Sequence, residues 1–428
     1  MSDDPTYLAS QGDVLWAREA DLEVPQSEPL PATADVVVVG GGFTGVAAAR
    51  ELRCRGREVL VIEQGTLGFG ASTRNAGFVH AGVRRSLPEL REQFGDELGA
   101  ALYGDTVAAL EHVADLIDAI GIDCDFERRG YLYLAQRPRK AERLRRAQAS
   151  LAEAGHESLL LDSQAVADQA GTDGYVAGLL LNGAASMHPA KFLEGLICDA
   201  HDRGAQFAAR TRVTGLEQRP SGGVVVSTSR GTVIARHVFV ATDGYTAGLL
   251  PFLRRRVIPI DSFILATERL SPELQERVSP SGHLCLETKN FLCYWRLSTE
   301  GRLVFGGRAS FAPTSVERAS AWLQQQLRRI YPFLDGVEVE AVWGGKTGFS
   351  YDQLPHIGRE GDVTYAVTFC GGGVALAPWF GTSSARWIDG ESPPPFARIP
   401  FPKVPLFNGR PWFLPLVGPA FALQDRLR

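Results

Sequence analysis

The sequence predicts an α/β protein in two parts: a parallel, helix-covered sheet that begins near the front of the chain, and a strand-rich part farther along. Three observations carry this. At 428 residues the chain is long enough for two domains, each with its own core. Near its front, the β-branched run Val36-Val37-Val38-Val39 precedes a glycine cluster, a helical stretch and a second apolar run, Val59-Leu60-Val61-Ile62. That is the βαβ pattern of strands buried on both faces. Farther along, strand-like stretches at 205–218, 223–229, 232–241 and 256–308 follow one another with little helix between them.

Taken in order, residues 1–32 are polar and proline-rich and read as an arm laid on the surface. Order begins at Asp35. In the helix at 43–55, Val46, Ala49 and Leu52 share one face, and Gly56 suits the position just past its end. From 88 to about 150 the chain is mostly helical, with amphipathic segments at 89–120 and 136–154 around a strand at 130–134. A short strand at 176–181 leads to His188-Pro189 and a helix with Phe192, Leu193, Leu196, Ile197 and Ala200 on one stripe. A helix at 315–330, a strand at 363–369, a Gly371-Gly372-Gly373 turn and a helix to about 388 complete the core. Beyond Pro393 the tail is rich in proline and aromatic residues, and nothing in the chain repeats.

Composition excludes several function classes. Hydrophobic residues at 45% and charged residues at 22% exclude a disordered chain. A net charge of −5 without a basic stripe argues against a nucleic-acid partner or a polybasic membrane contact. Six cysteines without C-x-x-C spacing argue against zinc or a disulfide framework and read as buried reduced thiols. No apolar run approaches the ~20 residues of a membrane span, and the best candidate, Pro411 to Leu423, is broken by Pro415, Gly418 and Pro419. The acidic start Met1-Ser2-Asp3-Asp4-Pro5 lacks the apolar segment of a secretory signal, so a cytoplasmic enzyme is expected.

The glycine cluster reads Gly40-x-Gly42-x-x-Gly45, directly after a buried strand and opening a helix. In this context Gly40 permits the tight turn, Gly42 lets a pyrophosphate approach the backbone, and Gly45 lets helix and strand pack closely. Glu63 ends the second strand, 18 residues after Gly45, where it can accept both ribose hydroxyls and repel a 2′-phosphate. The pattern marks a dinucleotide site of the Rossmann type without separating NAD from FAD. The next segment, Gly68-Phe69-Gly70-Ala71-Ser72-Thr73-Arg74-Asn75-Ala76-Gly77, has the small residues and donors to run along a pyrophosphate toward a flavin ring. No second strand–GxGxxG–helix unit is present, so electrons should come from an organic substrate.

These segments, with Ala241-Thr242-x-Gly244, Leu354-Pro355-His356-Ile357-Gly358-Arg359 and Gly371-Gly372-Gly373, occur in the order of the D-amino-acid-oxidase-type FAD oxidoreductases. The chain resembles that family over roughly residues 33–390. The 68–77 loop, Ile122-Asp123-Cys124-Asp125-Phe126, His188-Pro189 and the ending Gln424 to Arg428 look closest to the bacterial gamma-glutamylputrescine oxidoreductases. The resemblance implies a discontinuous Rossmann-like FAD-binding domain from 33–87, 184–247 and 345–390. It implies an α+β antiparallel-sheet substrate domain from 88–183 and 248–344, with 391–428 as a tail. The implied cofactor set adds Phe43, Thr44, Gln64, Val213 and Arg359 to the residues above. It also implies a flavin whose C2=O/N1 edge faces the last glycine turn, where the amides of Gly372, Gly373 and Val374, opening a helix, would stabilise the negative charge of reduction. Two positions depart from the common pattern: Gly372 where histidine is frequent, and Pro378 inside the following helix. No metal is implied.

Some relatives attach FAD through a cysteine just before the Pro-x-Ile-Gly segment, but here the stretch reads Gly344-Gly345-Lys346-Thr347-Gly348-Phe349. Others use a histidine in the loop after the ribose acid, where this sequence has Arg74-Asn75; nearby His80 reads as a hydrogen-bonded histidine near the substrate side, with flavin attachment as the alternative. Noncovalent FAD is expected. In the strand-like block ending at Arg308, Tyr294 and Trp295 either wall an amine pocket or pack within the sheet. Arg296 or Arg308 either binds a substrate carboxylate or lies at the sheet rim. Lys346, one of only five lysines, reads as a surface lysine, with a water-holding role near the flavin as the alternative. The implied reaction is oxidation of a C–N bond in a small amine, by hydride transfer to flavin N5, with O₂ or a carrier taking the electrons. A sarcosine or amino-acid dehydrogenase or oxidase, and a flavin-binding partner protein without activity, are the alternatives.

Overall fold

The structure is a computed structural model that describes residues 12–246, 248–310, 314–409 and 411–427. Strands β1 (Thr33–Val39) and β2 (Val59–Ile62) flank helix α1 (Phe43–Cys54). Next come β3 (Phe78–His80), α2 (Leu87–Phe94), α3 (Asp96–Ile120), β4 (Glu127–Ala135), α4 (Pro138–Glu153), β5 (Ser158–Asp162), α5 (Ser163–Ala170) and β6 (Ala177–Ser186). Helix α6 (Pro189–Asp202) leads into β7 (Gln206–Ala208), β8 (Val213–Gln218), β9 (Val224–Thr228) and β10 (Gly231–Val240). Then follow α7 (Pro251–Arg254), β11 (Ile258–Arg269), α8 (Pro272–Val278), β12 (Leu284–Glu287), β13 (Cys293–Leu297), β14 (Arg302–Gly307), α9 (Val316–Ile330) and β15 (Val339–Phe349). The chain ends with β16 (His356–Glu360), β17 (Val363–Val367), α10 (Gly373–Ile388) and α11 (Leu414–Leu427).

Two sheets result. The first runs β16-β17-β10-β1-β2-β7, parallel except for the edge strand β16, with the β8–β9 hairpin joined to β10. Val36 to Val39 sit at its centre and are buried, as their unbroken β-branched run predicts. One face packs on α1, α3, α6 and α10 through residues such as Val46, Leu52, Leu110, Phe192 and Phe380. The second sheet runs β15-β11-β14-β13-β12-β4-β6-β3, with β5 on β6, and is antiparallel apart from the β12–β4 pair. It buries Trp295, Phe305 and Leu303 against α9 residues Leu323 and Leu327.

Three expectations need correction. The strand expected over 205–218 is broken into β7 and β8, because the chain turns at Arg210 (φ 51°) to donate its amide to Gly65 O and the Thr211 amide to Glu63 O. The arm is not wholly superficial: Val14, Leu15 and Trp16 are buried with Ile264, Val304 and Trp343 of the second sheet. Residues 1–11 lie outside the described part. The tail contains helix α11 despite Pro419, and Leu414 and Phe421 pack on Ile258, Phe349 and Cys370. Among the described residues no helix is long and apolar enough to cross a membrane.

Candidate active site

The C-terminal ends of β1, β2, β10 and β17 and the N-termini of α1 and α10 meet at one edge of the first sheet. Gly40 turns there with φ +114°, and a Cβ on it would lie 2.6 Å from Ala241 O. A Cβ on Gly42 would lie 2.6 Å from Ser72 Oγ, which accepts the Phe43 amide at 2.9 Å. A Cβ on Gly45 would fall 1.9 Å from Gly40 O, so helix and loop touch backbone to backbone. Any other residue would fill this cradle, and bare amides at a helix start suit a pyrophosphate. The side chains of Phe43 and Thr44 are buried behind it.

At the end of β2, Glu63 accepts the amides of Gly41 (2.8 Å) and Gly65 (2.9 Å). Burial pushes its carboxyl pKa up, and these amides together with that of Gln64 pull it down. A carboxylate has about four acceptor positions, so capacity remains for a ribose hydroxyl. Gln64 contributes its backbone, its side chain being exposed. Val213 stands two residues beyond the amide that binds Glu63 O and packs on the cluster of Val37, Val39, Leu60 and Ile62.

The 68–77 loop is shaped by its own side chains. Arg74 donates from Nε to Phe69 O (2.8 Å) and from Nη1 to Gly344 O (2.9 Å). Asn75 donates to Ala71 O and Ser72 O and accepts the Gly77 amide at 2.7 Å. A Cβ on Gly70 would meet the Tyr245 ring at 3.3 Å. The sequence marks Arg74 and Asn75 as donors to a cofactor; in the structure Arg74 also ties the loop to β15, and Asn75 bonds within the loop.

Sequence reasoning passed over Asp243, between Thr242 and Gly244. With φ 38°, it accepts the amides of Gly348 (2.9 Å) and Thr368 (2.7 Å), tying β10, β15 and the end of β17 together. Gly244 allows this, since a Cβ there would lie 3.0 Å from Gly348 N. Thr242 Oγ1 bonds Thr246 Oγ1 at 2.8 Å, and Ala241 donates its amide to Val39 O. The signal was an acid in a short Ala-Thr-Asp-Gly turn after a fully buried strand. From this hub Cys370 donates its amide to Gly348 O (3.0 Å), and Gly371 takes φ +99° with open space around it. Gly372 caps α10, whose first amides, Gly373 and Val374, have no acceptor within the helix. Helix α10 lies hard against α1: a Cβ on Gly381 would be 2.2 Å from Thr44 O. Pro378 sits buried in its second turn and removes the amide that would have bonded the Val374 carbonyl.

The structure divides the expected substrate residues. Alternation along β13 sends Tyr294 and Trp295 to opposite faces. Trp295 is 1% exposed, donates Nε1–H to Tyr331 Oη (2.9 Å) and stacks on Phe305, so it walls no amine pocket. Arg296 is also removed from substrate binding: buried, it donates to Ala76 O (2.6 Å) and Met187 O (2.9 Å), and burial pushes its pKa down to about 10. Tyr294 stands with its Oη 3.3 Å from Ser262 Oγ and its ring edge-on to Phe78. Arg308 lies over the Phe349 ring at 5.2 Å, and Arg84 over the same ring at 5.4 Å. Burial and the neighbouring Arg84 charge push the Arg308 pKa down to about 10. His80 stacks on Tyr131 at 5.2 Å with Nδ1 3.1 Å from Ala81 O, and burial lowers its pKa. Lys346 is not a surface lysine: it is 6% exposed and pairs with Asp261 across β11 and β15 at 2.9 Å. Arg359 is not brought to the site. Because β16 runs antiparallel to β17, Arg359 sits beside Thr364 and Trp387, the latter fifteen positions and about 22 Å along α10 from Gly372.

The fold and site are matched by known proteins. The family described as DAO, FAD dependent oxidoreductase, matches residues 35–387. The probable oxidoreductase OrdL of Rhizobium meliloti is 32% identical over 403 residues, covering 92% of each chain. The gamma-glutamylputrescine oxidoreductase of Escherichia coli is 29% identical over 402 residues, 92% of this chain and 93% of that one. In three dimensions the glycine oxidase of Bacillus cereus superposes with a TM-score of 0.72 at 19% identity, over 87% of this chain and all of the other. With a glycine cradle and an acid at the end of β2 that fit the cofactor, the chain belongs to the DAO family of FAD-dependent oxidoreductases.

Proposed function

We propose that the enzyme oxidises a primary amine whose aliphatic chain ends in a carboxylate-bearing head, a gamma-glutamylputrescine-like substrate. Water and O₂ are consumed, and aldehyde, ammonia and H₂O₂ are released. FAD, when bound, supplies the two-electron acceptor for this oxidation. The reading takes 33–87, 184–247 and 345–390 as the cofactor-binding domain and 88–183 and 248–344 as the substrate domain. The observation that carries it is the pair of guanidiniums, Arg84 and Arg308, on one Phe349 ring. Arg84 also reaches Cys370 O, at the glycine turn before α10, which supports placing the pair on the flavin side of the substrate sheet. Tyr294 sits close enough to Arg308 for its phenol to feel that charge. Two cations over an apolar ring suit a carboxylate, with methylenes against Tyr294 and Phe349. The relative from Escherichia coli carries the matching name, and six free cysteines suit a reducing compartment such as the cytoplasm.

The test compares kcat/KM for gamma-glutamylputrescine, putrescine, sarcosine and neutral monoamines, with H₂O₂ measured alongside. Gamma-glutamylputrescine is expected to lead, and Arg308→Gln to raise its KM by about 10- to 100-fold, the range for a charge-assisted hydrogen bond, while neutral amines change little. A preference for sarcosine moves the enzyme to N-methyl amino acids. Equal rates for all amines remove the carboxylate role from Arg308, and flavin reduction without H₂O₂ removes O₂ as acceptor.

A further inference from the structure

Four successive carbonyls of the cofactor loop are each held by a donor from a different part of the molecule. Arg74 O accepts Trp343 Nε1–H (3.2 Å) from β15, and Asn75 O accepts Trp16 Nε1–H (2.9 Å) from the N-terminal arm. Ala76 O accepts Arg296 Nε–H (2.6 Å) from β13, and Gly77 O accepts the Met187 amide (3.0 Å) just past β6. The three side-chain donors also support one another. The Trp16 and Trp343 rings meet edge to face at 6.0 Å, and the Arg296 guanidinium lies 5.6 Å from the Trp16 ring. Gly77 fits the space left, since a Cβ there would be 1.9 Å from Met187 O and 3.0 Å from Arg296 Nη2.

A peptide unit is planar, so a donor that fixes one carbonyl fixes the amide of the next residue as well. Trp343 thereby sets the Asn75 amide, Trp16 the Ala76 amide and Arg296 the Gly77 amide. The last donates to Asn75 Oδ1. The other two meet no acceptor among the described residues. Arg296 itself is buried and its hydrogen bonds go to carbonyls, an expensive place for a charge. We propose that Trp16, Arg296 and Trp343 are positioning residues that clamp the 74–77 peptides and present the Asn75 and Ala76 amides to FAD. The N-terminal arm and the substrate sheet are thus wired to cofactor binding. This rests on FAD dependence alone and stands whatever the amine substrate is.

Trp16→Phe and Trp343→Phe each delete one N–H and keep an aromatic ring. Apo-protein titrated with FAD, followed by flavin fluorescence, is expected to show Kd raised about tenfold in each, the effect of losing one hydrogen bond. The double variant is expected to fall short of a hundredfold, because both donors hold one loop. A tryptophan that only packs the core would lower the melting temperature of the apo-protein and leave Kd alone. Wild-type Kd in both single variants overturns the proposal, whatever their stability. Should Trp16→Phe fail to fold, Trp343→Phe and Arg296→Lys carry the same titration. Hydrogen exchange over residues 72–79 of the apo-protein gives the independent measure: faster exchange in the variants is expected, and unchanged exchange overturns the clamp.

Discussion

Replacing Asp105 with Asn is expected to raise stability at neutral pH and to change the shape of the pH–stability curve. Asp105 and His112 lie seven residues apart on one face of α3, against Trp379 and Thr382 of α10, the helix whose first turn faces the cofactor site. Burial pushes the Asp105 pKa up from 3.8 to about 6, and its Oδ2 has no partner. Burial, and after it the charge of Arg386, pushes His112 down from 6.5 to about 4 against the opposing pulls of Glu51 and Asp115. Between pH 3.8 and about 6 the folded chain keeps an Asp105 proton that the unfolded chain has lost, so stability falls as pH rises. Between about pH 4 and 6.5 the unfolded chain keeps a His112 proton that the folded chain has released, so stability rises. Each slope is about 1.4 kcal/mol per pH unit over roughly two units, or ~3 kcal/mol, reduced to about 2 kcal/mol by partial solvent screening. In the wild type the two nearly cancel. Asp105→Asn unmasks the His112 rise between pH 4 and 6.5, and His112→Gln unmasks the Asp105 fall. Urea unfolding midpoints at half-unit pH steps make the comparison. An Asp105→Asn midpoint that follows the wild type at every pH, or lies below it at pH 7.5, refutes the reasoning.

Two further predictions concern the cofactor. Glu63→Gln is expected to weaken FAD binding by roughly 1–3 kcal/mol, the range for charge-assisted hydrogen bonds; equilibrium titration of the apo-protein measures it, and an unchanged Kd means that Glu63 does not hold the ribose. FAD is expected to leave the polypeptide on acid or heat denaturation, because residues 344–349 hold no cysteine and His80 is engaged with Tyr131 and Ala81; flavin remaining with precipitated protein would point back to His80.

What was legible in the sequence follows the range of the interactions. The cradle was readable because Gly40, Gly42 and Gly45 act within a few residues of one another, and a missing Cβ is a local property. The place of Glu63 beside the cradle was readable because a βαβ unit fixes its distance from the glycines. Side-chain roles set by strand register were not. Tyr294 and Trp295 are equivalent as letters, and which one faces the other helices depends on how β13 pairs with β12 and β14. Lys346 looked superficial because its partner Asp261 lies 85 residues away, brought alongside by the β11–β15 register. Arg359 sat beside a cofactor motif in sequence, yet one reversal of strand direction carried it to the far end of α10. Trp16 was hidden for the opposite reason: a proline-rich arm carries no periodicity, and only the three-dimensional path brings its indole to Asn75. The glycine cradle is therefore written mostly in backbone, where local sequence is decisive, whereas the proposed substrate pocket and the proposed clamp behind the 68–77 loop are written in pairings. On the proposed reading, substitutions in β13, β14 and β15 are expected to change substrate choice while leaving the glycine cradle undisturbed.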